Sequence, residues 1–155
     1  MKKGVLIFGV LLLLISSCTL KKKEVVVYHR FKNHSWYRFD NLLFNIPIEE
    51  INKPYDIFFF AMHSKKYEFD NLDFGIIMNT PSGEERINQY NFRIKKKFGG
   101  FSGFCYQDSC EAVIALKKGI FFSQKGILKI EVENLVPRLV VKELFGVGIK
   151  IVPSN

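Results

Sequence analysis

The side chains able to do chemistry in this 155-residue chain are few, and a cysteine comes first. Lys2 and Lys3 precede an apolar run over residues 4–15, which closes on Ser16-Ser17-Cys18. A thiol directly behind a pair of small residues can be alkylated by a diacylglycerol donor, after which cleavage leaves the lipidated cysteine as the first residue. The basic start, apolar middle and small-residue end are those of a bacterial lipoprotein signal. The run is shorter than the roughly 20 apolar residues a spanning helix needs. The sequence therefore predicts a signal peptide at residues 1–17, then lipidated Cys18 and a basic tether to residue 24. Residues 25–155 form the folded part. Each buried methylene contributes about 0.8 kcal/mol, and two or more fatty chains attach a protein stably where one does not. The membrane is thus the first expected partner, through Cys18.

Two further cysteines, Cys105 and Cys110, enclose Tyr106-Gln107-Asp108-Ser109. Four intervening residues can make one tight turn and set the thiols opposite each other across a hairpin. A disulfide, expected in an oxidising compartment, and a pair of buried free thiols are both compatible with that spacing. A lone CxxxxC without a further Cys or His nearby is no metal motif. His29, His34 and His63 form no metal-binding or catalytic motif, and they read as surface or turn residues. Glu49-Glu50 and Glu84-Glu85 are sequence neighbours, which in a strand point to opposite faces and make no carboxylate pair. No catalytic residue, cofactor or metal is expected. Gly99-Gly100-Phe101-Ser102-Gly103 lacks the following helix and the Lys with Ser or Thr of a phosphate-binding loop, so it reads as a bent or bulged β segment.

Aromatic side chains offer a different chemistry. Trp36, Tyr37 and Phe39 cluster beside a turn at Asn33-His34-Ser35. Two readings are open: Trp36 caps the core, or Trp36 and Tyr37 form an aromatic contact site for a sugar or peptide.

The elements that must carry these residues read as strands. Sixteen Phe and six Tyr stand among many Ile and Val, a composition that favours β structure. Leu42, Phe44, Ile46 and Ile48 alternate with Leu43, Asn45 and Pro47, and the proline argues for an edge strand or a strand end there. YDIFFFAM, starting at Tyr55, is apolar on both faces apart from Asp56 and reads as central. Leu72, Phe74, Ile76 and Met78 precede a Pro81-Ser82-Gly83 turn, and Tyr90, Phe92 and Ile94 follow it, which is a hairpin. Leu128, Ile130 and Val132 alternate with Lys129, Glu131 and Glu133. Val147, Ile149 and Ile151 close the chain, and residues 136–145 read as a loop or one helical turn. Seven to nine short strands with no helix predict an all-β, single-domain β-sandwich, jelly-roll or Ig-like. Without residues 1–17, 21 Lys and Arg stand against 15 Asp and Glu. The excess is scattered, apart from Lys21, Lys22, Lys23 and Lys95, Lys96, Lys97, and an exported chain meets no nucleic acid.

In order, these landmarks resemble the gliding-motility lipoprotein GldH family of the Bacteroidota. The resemblance rests on Ser16-Ser17-Cys18, then Tyr28-His29, then Asn33, Ser35, Trp36 and Asp40. It continues through Tyr67, Phe69, Asn71 and Leu72, the Pro81-Ser82-Gly83 turn, the glycine run, Lys125-Gly126, and Gly146-Val147-Gly148 before Ile149-Lys150-Ile151. Phe101 and Gly146 stand where the family usually has Trp and Asp. Val136-Pro137-Arg138 only partly matches a Met-Arg pair, and the cysteine pair lies outside the pattern. The resemblance implies a non-enzymatic lipoprotein, acting with other gliding-motility or secretion proteins and associated with type IX secretion. Residues 19–23 are basic rather than acidic, which fits an outer-membrane lipoprotein facing the periplasm. The competing expectation is a surface lipoprotein that binds or processes glycans.

Overall fold

Alternation of apolar and polar side chains organises the computed structural model, which describes residues 24–154. Its strands are β1 (Val25–Arg30), β2 (Ser35–Tyr37), β3 (Leu42–Ile48), β4 (Tyr55–Ser64), β5 (Asn71–Asn79) and β6 (Glu85–Arg93). They continue with β7 (Phe104–Tyr106), β8 (Ser109–Ile120), β9 (Gly126–Asn134), β10 (Val140–Lys142) and β11 (Leu144–Pro153). A single turn of 3-10 helix, Lys32–His34, links β1 to β2. All pairings are antiparallel.

Two sheets face each other, one in the order β1-β11-β4-β8-β7 and one in the order β3-β9-β5-β6; β2 and β10 pair separately. The expected all-β sandwich is what forms. Side chains one residue apart on a strand point to opposite faces, so the alternating sets meet between the sheets. Phe59 of β4 stacks on Phe74 of β5 at 4.0 Å, with Phe92 of β6 edge-on to it at 6.3 Å. Ile57, Leu72, Leu128, Ile130, Val147 and Ile149 complete this interior.

Particular elements match their sequence signals. β3, with Pro47, is an edge strand, β4 is central, and β5 and β6 form the hairpin across Pro81-Ser82-Gly83. Two expectations need correction. Eleven strands form among the described residues rather than seven to nine. Residues 136–145, read as a loop or helical turn, contain β10 and the start of β11. Val141 pairs with Trp36 across the small β2-β10 ribbon, a partner about a hundred residues away that local patterning does not reveal.

Candidate interaction surface

Cys18 lies outside the described residues. Cys105 and Cys110 are joined by a disulfide across the β7-β8 hairpin, where they are direct partners with Cα atoms 4.0 Å apart. The Gln107-Asp108 turn sets them there, Gln107 taking a positive φ of 52°.

Trp36 and Tyr37 are separated by the pleat of β2. Trp36 is completely buried, stacked on Phe31 at 5.3 Å, with its indole N–H donating to the Asp40 carbonyl at 2.9 Å. The Asn134 side chain ties the same strand down, donating to the Trp36 carbonyl at 3.2 Å and accepting from the Val136 N–H at 3.0 Å. An aromatic platform at Trp36 is thereby corrected: its ring belongs to the core, and only Tyr37 and Phe39 reach the surface.

His63 departs from its expectation as a surface or turn residue. It faces inward from β4, fully buried between the Phe101 and Tyr67 rings at 4.9 and 5.4 Å. Its Nδ1 lies 2.9 Å from the Ser64 carbonyl, an acceptor, so that nitrogen carries the proton; Nε2 has no partner. Burial holds the imidazole below its ordinary pKa, against the opposing effect of the Ser64 bond, and the Lys95 charge acts in the same direction as burial. His34 packs on Phe145 and His29 on Phe31, so the three imidazoles work separately. No group of three or more His, Cys, Asp or Glu among the described residues is placed to hold a metal.

The feature that single-strand patterning missed is the outer face of the five-stranded sheet. Register places Val26 and Tyr28 of β1, Phe58, Phe60 and Met62 of β4, Val113 of β8, and Phe104 and Tyr106 of β7 on that face. Between them β11 contributes Gly146 and Gly148. A methyl at Gly148 would meet the Phe60 ring and the Val27 carbonyl, and one at Gly146 would meet the Tyr28 ring and the His29 carbonyl. The glycines therefore let Tyr28 and Phe60 lie flat across β11, nearly parallel at 5.9 Å. Shallow pockets open beside them, one lined by Phe58, Phe60, Glu111, Val113 and Lys150, the other by Tyr28, Arg30, His34, Met62 and Phe145.

The other sheet is different. Its outer face carries Lys129, Glu131, Glu133, Asp73 and Asn91, cross-linked by hydrogen bonds such as Asn41 to Glu131 at 2.8 Å and Asn71 to Asn91 at 3.0 Å. One sheet thus turns outward a mixed face, on which exposed Leu43, Ile87 and Ile127 stand among the charged and amide groups, and the other an aromatic one. Val26, Tyr28, Val113, Phe104 and Tyr106 are exposed on the aromatic face, with Phe60 buried against Tyr28; exposed apolar side chains gathered on one face mark an interaction site more often than scattered single residues do.

Fold and surface together define an antiparallel β-sandwich module with one aromatic outer face. Comparison with known proteins carries this further: the chain belongs to the GldH lipoprotein family, whose model matches residues 24–151. It is similar to the Gliding motility lipoprotein GldH of Flavobacterium johnsoniae, 26% identical over 131 residues, covering 83% of this chain and 80% of that protein. A GldH homolog of Christiangramia forsetii is 24% identical over 132 residues, covering 84% and 79% respectively. No solved structure matches. The family is linked to gliding motility, and its lipoprotein character implies membrane anchoring.

Proposed function

We propose that this chain is a non-enzymatic lipoprotein that supports gliding motility and the associated type IX secretion machinery as a scaffold or accessory component. It is lipidated at Cys18 and held in the outer membrane facing the periplasm. The observation that carries the reading is the aromatic outer face of the five-stranded sheet, on a domain whose titratable side chains are dispersed or buried in packing roles. Such a face suits the docking of a protein component of the machinery, and the basic residues behind Cys18 favour the periplasmic side. Relatives named for gliding motility supply the process.

Clean deletion of the gene, scored by colony spreading and by secretion, tests the role: loss of both is expected, and wild-type behaviour refutes it. Complementing the deletion with F104S/Y106S, which alters two exposed side chains on the face, is expected to restore a folded, anchored protein without restoring spreading. Protease shaving of intact cells checks the orientation, since ready digestion would place the domain outside.

A further inference from the structure

The connections at the two ends of the sandwich differ in charge and in what they expose. β1 starts where β3 ends and β4 begins: Val25 pairs with Ile151, and Glu24 bonds Lys150 at 2.9 Å. The connections at that tether end, residues 24, 49–54, 80–84, 121–125 and 154, hold two Lys or Arg against four Asp or Glu. Those at the far end, residues 31–34, 38–41, 65–70, 94–103, 107–108, 135–139 and 143, hold eight against five.

Three loops at the far end repeat one device, a cation immediately followed by an exposed large apolar side chain. They are Arg38-Phe39, Lys97-Phe98 and Arg138-Leu139, with Phe39 83%, Phe98 95% and Leu139 76% exposed. Each tip has a built support. The Arg38 N–H donates to the Leu139 carbonyl at 3.0 Å, which holds two of the loops together. The buried Trp36 indole holds the Phe39 turn through Asp40. Phe98 crowns a small hairpin closed by Lys96 N–H to the Gly100 carbonyl at 3.0 Å and Ser102 N–H to the Ile94 carbonyl at 2.7 Å. Gly99 and Gly100 adopt the positive φ it needs, 91° and 77°. Almost complete exposure of a phenylalanine on a hydrogen-bonded hairpin forgoes burial that the fold does not supply.

Chain length decides what faces these tips. Cys18 lies six residues before Glu24, a reach of at most about 20 Å, whereas the ten residues of β4 alone span about 30 Å. A lipid at Cys18 holds the tether end at the bilayer and keeps the far end from turning down onto it. We infer that this end docks an acidic protein partner held in front of the membrane, which the Phe98 hairpin engages at the β6 edge and the joined Phe39 and Leu139 loops at the opposite, β3 edge, its carboxylates meeting the cations and its apolar hollows receiving the tips. Opposite charge steers such encounters, and desolvated aromatic anchors hold them. The inference rests on the Cys18 lipidation proposed above.

The test is a photoreactive benzoylphenylalanine in the full-length lipoprotein in its native host, replacing Phe98 or, at the tether end, Phe121. From position 98 the expected result is a protein adduct whose cross-linked peptide is rich in Asp and Glu. It falls about tenfold with K96E/K97E and is retained with K96R/K97R; the position 121 variant gives no such adduct. Lipid adducts from position 98, no adduct, or a protein adduct indifferent to charge reversal would each overturn the inference. Membrane fractionation and spreading of the same strains report separately on the anchor and the motility role, so either can fail without the other.

Discussion

His63 and Trp36 show how much a single side chain changes with its surroundings. His63 is neutral inside the protein because burial depresses its pKa, while in the unfolded chain it takes up a proton below about pH 6.5. The unfolded state then binds more protons, so stability is complete above that pH and declines as pH falls toward the depressed native value. Denaturant midpoints of the wild type are expected to drop between about pH 7 and about pH 5.5, and those of His63→Leu to drop less. Trp36 carries both packing and the bond that holds the Phe39 turn. Trp36→Ala is expected to cost about 3–5 kcal/mol in equilibrium unfolding.

At the scale of elements, β11 is the strand on which the aromatic face depends. It runs between β1 and β4, and its outward positions are glycine where Tyr28 and Phe60 cross it. Gly148→Ala forces a methyl against backbone and ring, and a destabilisation of about 1–3 kcal/mol is expected by chemical unfolding. The β7-β8 hairpin is the other dependent element. Because its cysteines are direct cross-strand partners, thiol labelling of the mature, unreduced protein is expected to find no free thiol at Cys105 or Cys110, and both after reduction.

For the whole molecule, position relative to the membrane organises the rest. The aromatic sheet face, the basic far end and the more acidic tether end acquire directions only once the chain is attached in front of β1. Cys18→Ala is therefore expected to leave an unlipidated precursor and to abolish spreading, read by metabolic labelling with a fatty acid and by colony morphology. Normal lipidation of that variant would remove the attachment point from which these directions are reckoned.

Local signals in the chain were enough for the class of fold and for most strands. Alternation is a property of adjacent residues, and the edge position of β3, the central position of β4 and the β5-β6 hairpin each follow from side chains within a few positions of one another. The family resemblance is likewise an ordered pattern, and the family is confirmed over residues 24–151. What only the tertiary structure decided depends on partners far away in sequence. β10 exists because Val141 meets Trp36. Trp36 belongs to the core because β2 folds over Phe31, and His63 is buried because Phe101 and Tyr67 close over it. The aromatic face arises when four strands, each with one to three outward apolar side chains, are set in register around the glycines of β11. No window along the chain contains that sum, because pairing between distant strands brings those side chains together.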